Sequence, residues 1–85
     1  MKLLYFSWLR DRVGIASEDV QPPEDVATVG QLIAWLARQS DNHAAAFADP
    51  SIVRCAVNLE YAKAEEAVGP DDEVAFFPPV TGGRG

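Results

Sequence analysis

Residues 28–36 read Thr-Val-Gly-Gln-Leu-Ile-Ala-Trp-Leu (TVGQLIAWL), and the fold turns on what this stretch becomes. Thr28 is a favourable N-cap, and Gln31 three residues later completes a capping-box pattern. Val29, Leu32, Ile33 and Leu36 recur at spacings of three and four, which gathers them into one apolar stripe on a helix. Gly30 weakens the first turn by about 1 kcal/mol relative to alanine, and the stripe outweighs it. The helix is expected to end near Gln39-Ser40.

Working outward, residues 2–9 (KLLYFSWL) are aromatic and aliphatic and suit a strand buried on at least one face. Residues 10–14 allow one helical turn closed by Gly14. Residues 16–21 are short and acidic, end at Pro22-Pro23, and read as an edge strand paired in a hairpin with the first. Beyond the main helix, the alanine-rich residues 41–48 predict a second, shorter helix that stops before Pro50. Residues 52–57 read as a strand with Asn58 as its turn residue, and residues 60–62 as a short strand. Gly69-Pro70-Asp71-Asp72 is a turn signal, and residues 74–77 form the last strand before Pro78-Pro79. The order is two strands, one or two helices, then two or three strands, with no internal repeat. A right-handed crossover through the helix brings a later strand parallel to the first in the sheet interior. The expected architecture is therefore α+β. It is a β-grasp, a mixed sheet of four to five strands packed on one main helix plus a short second helix. Residues 1–77 form its body and residues 78–85 an extended, flexible tail.

The composition narrows the function. Lys and Arg number 7 and Asp and Glu 13 in 85 residues, a formal net charge of −6, with 48% hydrophobic and 24% charged residues. That is ordinary for one globular domain and too apolar for a disordered chain. The acidity argues against nucleic acid, whose phosphates it repels. No apolar run approaches the roughly 20 residues that span a bilayer, and the start of the chain lacks the basic-then-apolar form of a signal peptide. A soluble, cytoplasmic domain is expected, without membrane or nucleic-acid partners. One cysteine, Cys55, makes no internal disulfide, and with a single histidine, His43, it falls short of a Cys/His zinc site, so no metal and no bound cofactor are expected.

Cys55 sits mid-strand with no neighbouring histidine, as a small buried hydrophobe would rather than a nucleophile. His43 has no partner at ligand spacing and reads as a surface or packing residue. Glu65-Glu66 and Asp71-Asp72 fall in turns, where a solvated face is the default. The C-terminus is more informative. Pro78 and Pro79 fix φ and favour an extended exit, and the residues then shrink through Val80 and Thr81 to Gly82 and Gly83. Six residues from Phe77 to Gly83 reach roughly 20 Å when extended. A stiff root with a slender tip suits a narrow channel in another protein, although glycines also occur at a frayed end.

The run from Asp72 to Gly83, DEVAFFPPVTGG, closely resembles the C-terminal signature of the small subunits of molybdopterin synthase, ubiquitin-like sulfur carriers. The likeness extends to residues 2–6, to Leu9-Arg10-Asp11-Arg12-Val13-Gly14, to Thr28-Val29 and to Ala56-Val57-Asn58. It implies that the reactive group is a main-chain carboxylate, that of Gly83. A separate adenylating (E1-like) enzyme joins that carboxylate to AMP at the expense of ATP, and a sulfur donor displaces AMP to leave a thiocarboxylate. The tail then enters the large synthase subunit and delivers sulfur to a pterin precursor of the molybdenum cofactor. Glycines suit the tip, where a Cβ would obstruct the channel and the attack on the carbonyl. The resemblance also implies docking through an apolar patch beside the tail, here Phe77 and Tyr61 with Arg10 at its rim. Strand alternation puts Phe76 and Phe77 on opposite faces, and Phe77 is expected to be the exposed one.

The chain departs from that pattern by continuing with Arg84-Gly85, so that Gly83 lies in a peptide bond. The carrier is then trimmed after Gly83 or tolerates the extra residues, or Gly85 is the acceptor, or this copy is inactive or regulatory. Other readings are a carrier of the same fold for thiamine or tRNA thiolation, and a ubiquitin-like interaction module that is never activated.

Overall fold

The computed structural model describes residues 1–79. The chain runs β1 (Lys2–Tyr5), α1 (Ser7–Val13), β2 (Ser17–Asp19), α2 (Val29–Leu36), α3 (Asp41–Ala46), a 3-10 turn (Pro50–Ile52), β3 (Arg54–Val57), β4 (Glu60–Ala62) and β5 (Glu73–Phe77). The five strands form one sheet in the order β2-β1-β5-β3-β4, with β1 and β5 parallel and every other neighbour antiparallel. A parallel pair needs a long crossover, and the helices lie within it. The last strand therefore sits at the centre, as the element order predicts, and the α+β β-grasp architecture is the one observed.

The alternation of the strands divides the sheet into two faces. Leu3, Tyr5, Cys55, Val74 and Phe76 are buried on the inner face, where Leu3 pairs with Val74 and Phe76 lies between Tyr5 and Cys55. Leu32 and Leu36 of α2 are fully buried and join Leu9, Val13 and Phe47 in the same core. Phe76 anchors it, with its ring 5.9 Å from Tyr5 and 5.1 Å from Phe47 between centroids. The capping box forms: Thr28 Oγ1 accepts the Gln31 N–H at 3.2 Å, and Gln31 Oε1 accepts the Thr28 N–H at 3.1 Å. Gly30 permits a close approach, its N–H donating to the Ala64 carbonyl at 2.8 Å where an added Cβ would meet that oxygen at 3.2 Å.

Several boundaries differ from those read in the sequence. The first strand stops at Tyr5, because Ser7-Trp8-Leu9 belong to α1 and not to a strand running to Leu9. Leu9 and Val13, four residues apart, are both buried by this helix, and Gly14 closes it at φ 97°. The single turn expected over residues 10–14 is thus a seven-residue helix, and among the described residues the sheet carries three α-helices rather than two. The third strand begins at Arg54 rather than at Ile52, because Pro50 starts a 3-10 turn capped by the Asp49 carboxylate. β2 is only Ser17–Asp19, and α2 stops at Leu36.

Polar contacts fix the edges. Glu18 on β2 turns inward, and its Oε2 accepts the Tyr5 hydroxyl at 2.6 Å and contacts His43 Nε2 at 2.8 Å. His43 is thus a packing residue that ties α3 to the sheet edge. Burial, reinforced by the Glu18 carboxylate, holds the Tyr5 hydroxyl well above the usual phenol range. At the other end, Asn58 and Leu59 connect β3 to β4 with φ of 52° and 72°, the left-handed pair a two-residue hairpin loop requires. Asn58 suits that geometry and also bridges to Asp72 and Glu73, at 2.9 Å to the Asp72 carboxylate and 3.0 Å from the Glu73 N–H. Leu59 is 92% exposed and gains no burial in return for its strained backbone.

Leu59→Gly should therefore stabilise the fold by about 1 kcal/mol and raise the thermal midpoint by about 4–8 °C, measured by calorimetry. The Asn58 amide and the Gly69 N–H, at 2.7 Å, hold the Asp72 carboxyl below its ordinary value. An ionised Asp72 thus favours the folded state above the unfolded pKa of about 3.9, and this contribution is lost as pH falls through the lower folded value. In urea titrations, Asp72→Asn should be less stable than the parent at about pH 6, with the gap closing below about pH 4.

Candidate functional site at the root of the tail

The outer face of the sheet, opposite the helices, carries the residues that alternate with the core. Leu4, Ala75, Ala56 and Tyr61 stand in one cross-strand row, and Phe77 pairs with Arg54 one step nearer the end of β5. Tyr61 and Phe77 lie on strands separated by β3, so their backbones stand about 10 Å apart. Their ring centroids are nevertheless 5.8 Å apart at 59°. The intervening residue is Ala56, whose methyl group leaves room for both rings to lean together above β3. Tyr61 is 77% exposed and Phe77 half-buried, whereas Phe76 is fully buried. Pro78 and Pro79, both half-buried, follow the pair directly and lack the N–H that would continue a ladder.

The structure thus joins Phe77 and Tyr61 in one patch at the root of the tail. Arg10 lies outside that ring pair. It is exposed on α1, with its Nε 3.8 Å from the Asp11 carboxylate. The helix that carries it starts beside the end of β5, where the Phe6 N–H donates to the Phe76 carbonyl at 3.1 Å and the Phe6 ring is 48% exposed. The cation in register with Phe77 is Arg54, which the sequence reading overlooked. Its Nη1 donates to the carbonyls of Ser51 at 2.9 Å and Val53 at 3.3 Å, which orients the guanidinium along the strand end. Only the pairing of β3 with β5 reveals Arg54, and no local pattern encodes that register. Val80, Thr81, Gly82 and Gly83, with Arg84 and Gly85, lie outside the described residues.

The remaining side chains of chemical interest are structural. Cys55 is buried, and burial, with a smaller contribution from the Glu66 carboxylate, pushes its thiol up to about 11. Among the described residues no group of three or more His, Cys, Asp or Glu side chains is arranged to hold a metal ion. Among them, too, no helix is long and apolar enough to cross a membrane.

A small β-grasp body with an aromatic patch beside a Pro-Pro exit narrows the comparison with known proteins, and residues 3–83 match the ThiS family. The chain belongs to this family. Two relatives are the molybdopterin synthase sulfur carrier subunits of Escherichia coli (strain K12) and of Haemophilus influenzae. They are 40% and 35% identical over 83 residues, a span covering 98% of this chain and 99% of each relative. Among solved structures, SAMP1 from Haloferax volcanii superposes with a TM-score of 0.74 at 29% identity, over 98% of both chains. Together these likenesses show that the ThiS-family chain has the fold of the ubiquitin-like small modifiers over nearly its whole length.

For this ThiS-family protein, a buried thiol of raised pKa predicts that Cys55 stays unlabelled by a thiol reagent at neutral pH and reacts fully once urea unfolds the chain. Spectrophotometric thiol titration, native against unfolded, measures both.

Proposed function

We propose that this protein is the sulfur carrier subunit of molybdopterin synthase, and that its main chain, rather than any side chain, carries the sulfur. The observation that carries this reading is the likeness, over nearly the full length at 40% and 35% identity, to two subunits of that name. The run DEVAFFPPVTGG and the aromatic pair at the root of the tail support it.

In this reading the large synthase subunit is one partner and an adenylating enzyme the other. The adenylating enzyme consumes ATP, forms the acyl-adenylate at Gly83 and releases pyrophosphate. A sulfur donor then attacks the acyl carbon, AMP departs, and the thiocarboxylate remains. The body presents the tail: Phe77 and Tyr61 supply an apolar anchor, Arg54 a cation beside it, and Pro78-Pro79 a stiff exit toward the partner. Aromatic anchors of this kind are the side chains whose loss most often weakens a complex. Arg84-Gly85 must be removed before Gly83 presents a free carboxylate, so trimming after Gly83 belongs to the same proposal.

Intact-mass analysis of the protein from its native cell tests this reading. The expected species ends at Gly83 and carries the mass gain of one oxygen replaced by sulfur. If only the untrimmed carboxylate appears, even with the activating enzyme and ATP supplied, the chain is an interaction module rather than a carrier.

A further inference from the structure

The inner side of the sheet is not fully covered. Between α2 and the inner faces of β3 and β4 lies an apolar groove of about 540 Å³, lined among others by Ile33, Ala34, Ala37, Phe47, Val53 and Ala62. It exists because small side chains stand where larger ones would close the gap. Ala34 on α2 and Ala37 at its C-cap face Ala62 and Ala64 across it. Arg54 and Lys63 also line it, and both are exposed. A second hollow of about 410 Å³ shares Arg54, Cys55, Ala62 and Lys63 with the first and adds Tyr61 and Glu66. The two hollows therefore form one path, from the outer-face ring pair around β4 to α2.

The charge along this path leans the other way from that of the whole protein. The chain carries a net charge of −6, yet the residues that line the two hollows include two cations, Arg54 and Lys63, and one anion, Glu66. Among the described residues neither Lys63 nor Arg54 belongs to an ion pair. Glu66 lies at the Tyr61 end of the path, where its Oε1 accepts the Lys63 backbone N–H at 3.2 Å, and the groove beside α2 has Arg54 and Lys63 as its charged lining residues. An apolar trough flanked by exposed cations is complementary to an apolar side chain next to a carboxylate.

We propose that this groove is a second docking element, which seats an extended segment of the large subunit bearing an apolar side chain and, beside it, an aspartate or glutamate. The apolar side chain enters between Ile33, Ala37 and Val53, and the carboxylate pairs with Lys63 and Arg54. The inference rests on the carrier reading above and deepens it by naming the chemistry of the partner. The continuity with Tyr61 selects a partner segment: a protein already seated on the ring pair reaches the groove without leaving the surface. A compact ligand would fill one hollow and have no use for the link.

The experiment measures binding of the full chain to the purified large subunit by calorimetry, with the thermal midpoint of each variant as the folding control. Ala34→Trp, at an exposed position of α2, plugs the groove, and Lys63→Glu reverses its charge. Each should weaken binding at least about tenfold, and Lys63→Glu should remove part of the salt dependence. On the unmodified complex, a zero-length carbodiimide should condense the Lys63 amine with a carboxylate of the large subunit, giving an amide that peptide mapping identifies. Parent-like affinity of Lys63→Glu together with no cross-link at Lys63 overturns the proposal, even if Ala34→Trp fails to fold. A groove that holds a small molecule or a second copy of this chain, while both variants bind the large subunit normally, also overturns it. Tyr61→Ala separates the two readings. If it weakens binding and the groove variants do not, the groove proposal fails and the carrier reading stands. If the parent itself does not bind the large subunit, the carrier reading fails and the groove proposal with it.

Discussion

The parallel pairing of β5 with β1 is the constraint on which the rest of the molecule depends. It places Phe76 opposite Tyr5 at the centre of the sheet, where Tyr5 and Phe47 enclose its ring. Truncating a phenylalanine so placed costs about 3–5 kcal/mol, a large share of the stability of so small a domain. Because successive side chains point to opposite faces, the same pairing that buries Phe76 displays Phe77. Core and display are thus set by one register. A slip of one residue would exchange them and lose both at once. The last strand also ends where the tail begins, so the central and best-held element is the one that aims Pro78-Pro79.

Much of this was legible in the chain itself, and the reason is periodicity. The stripe Val29, Leu32, Ile33, Leu36 and its capping box identified α2 because both signals are local. The opposite orientation of Phe76 and Phe77 followed from strand alternation alone. The first helix was only partly visible. KLLYFSWL is apolar throughout, and a short apolar run does not separate strand from helix. Tertiary packing decides it, since burying Leu9 together with Val13 requires helical spacing from Ser7 onward. The site was legible to the same degree. Phe77 and Tyr61 could be named from the resemblance, but Ala56, which lets their rings meet, and Arg54, which stands beside them, depend on strand pairing across long separations.

The polar contacts show a matching division of labour. Glu18, Tyr5 and His43 join the β2 edge to α3, and Asn58, Asp72 and Gly69 lock the hairpin to the start of β5. Neither cluster touches the outer-face ring pair. They hold the two edges of a short sheet whose marginal strands, three residues each, would otherwise fray. The outer face is left free of such obligations, and its small alanines and lone aromatic pair can meet a partner without dismantling a hydrogen bond.

In the carrier reading, this separation explains how so acidic a chain keeps one face free for a partner. An interface gains little from area alone and much from a few pre-organised anchors. Here the anchors are rigid because they alternate with the core, and the cations Arg54 and Lys63 stand against the prevailing negative charge. If the proposed partner segment is acidic, negative charge elsewhere on the body disfavours its approach to other faces, while these two residues favour its approach here. In the carrier reading, orientation matters more than affinity, because the main chain beyond Pro79 carries the proposed reactive carboxylate. The pairing of β5 on both sides fixes the direction in which Pro78-Pro79 leave the sheet.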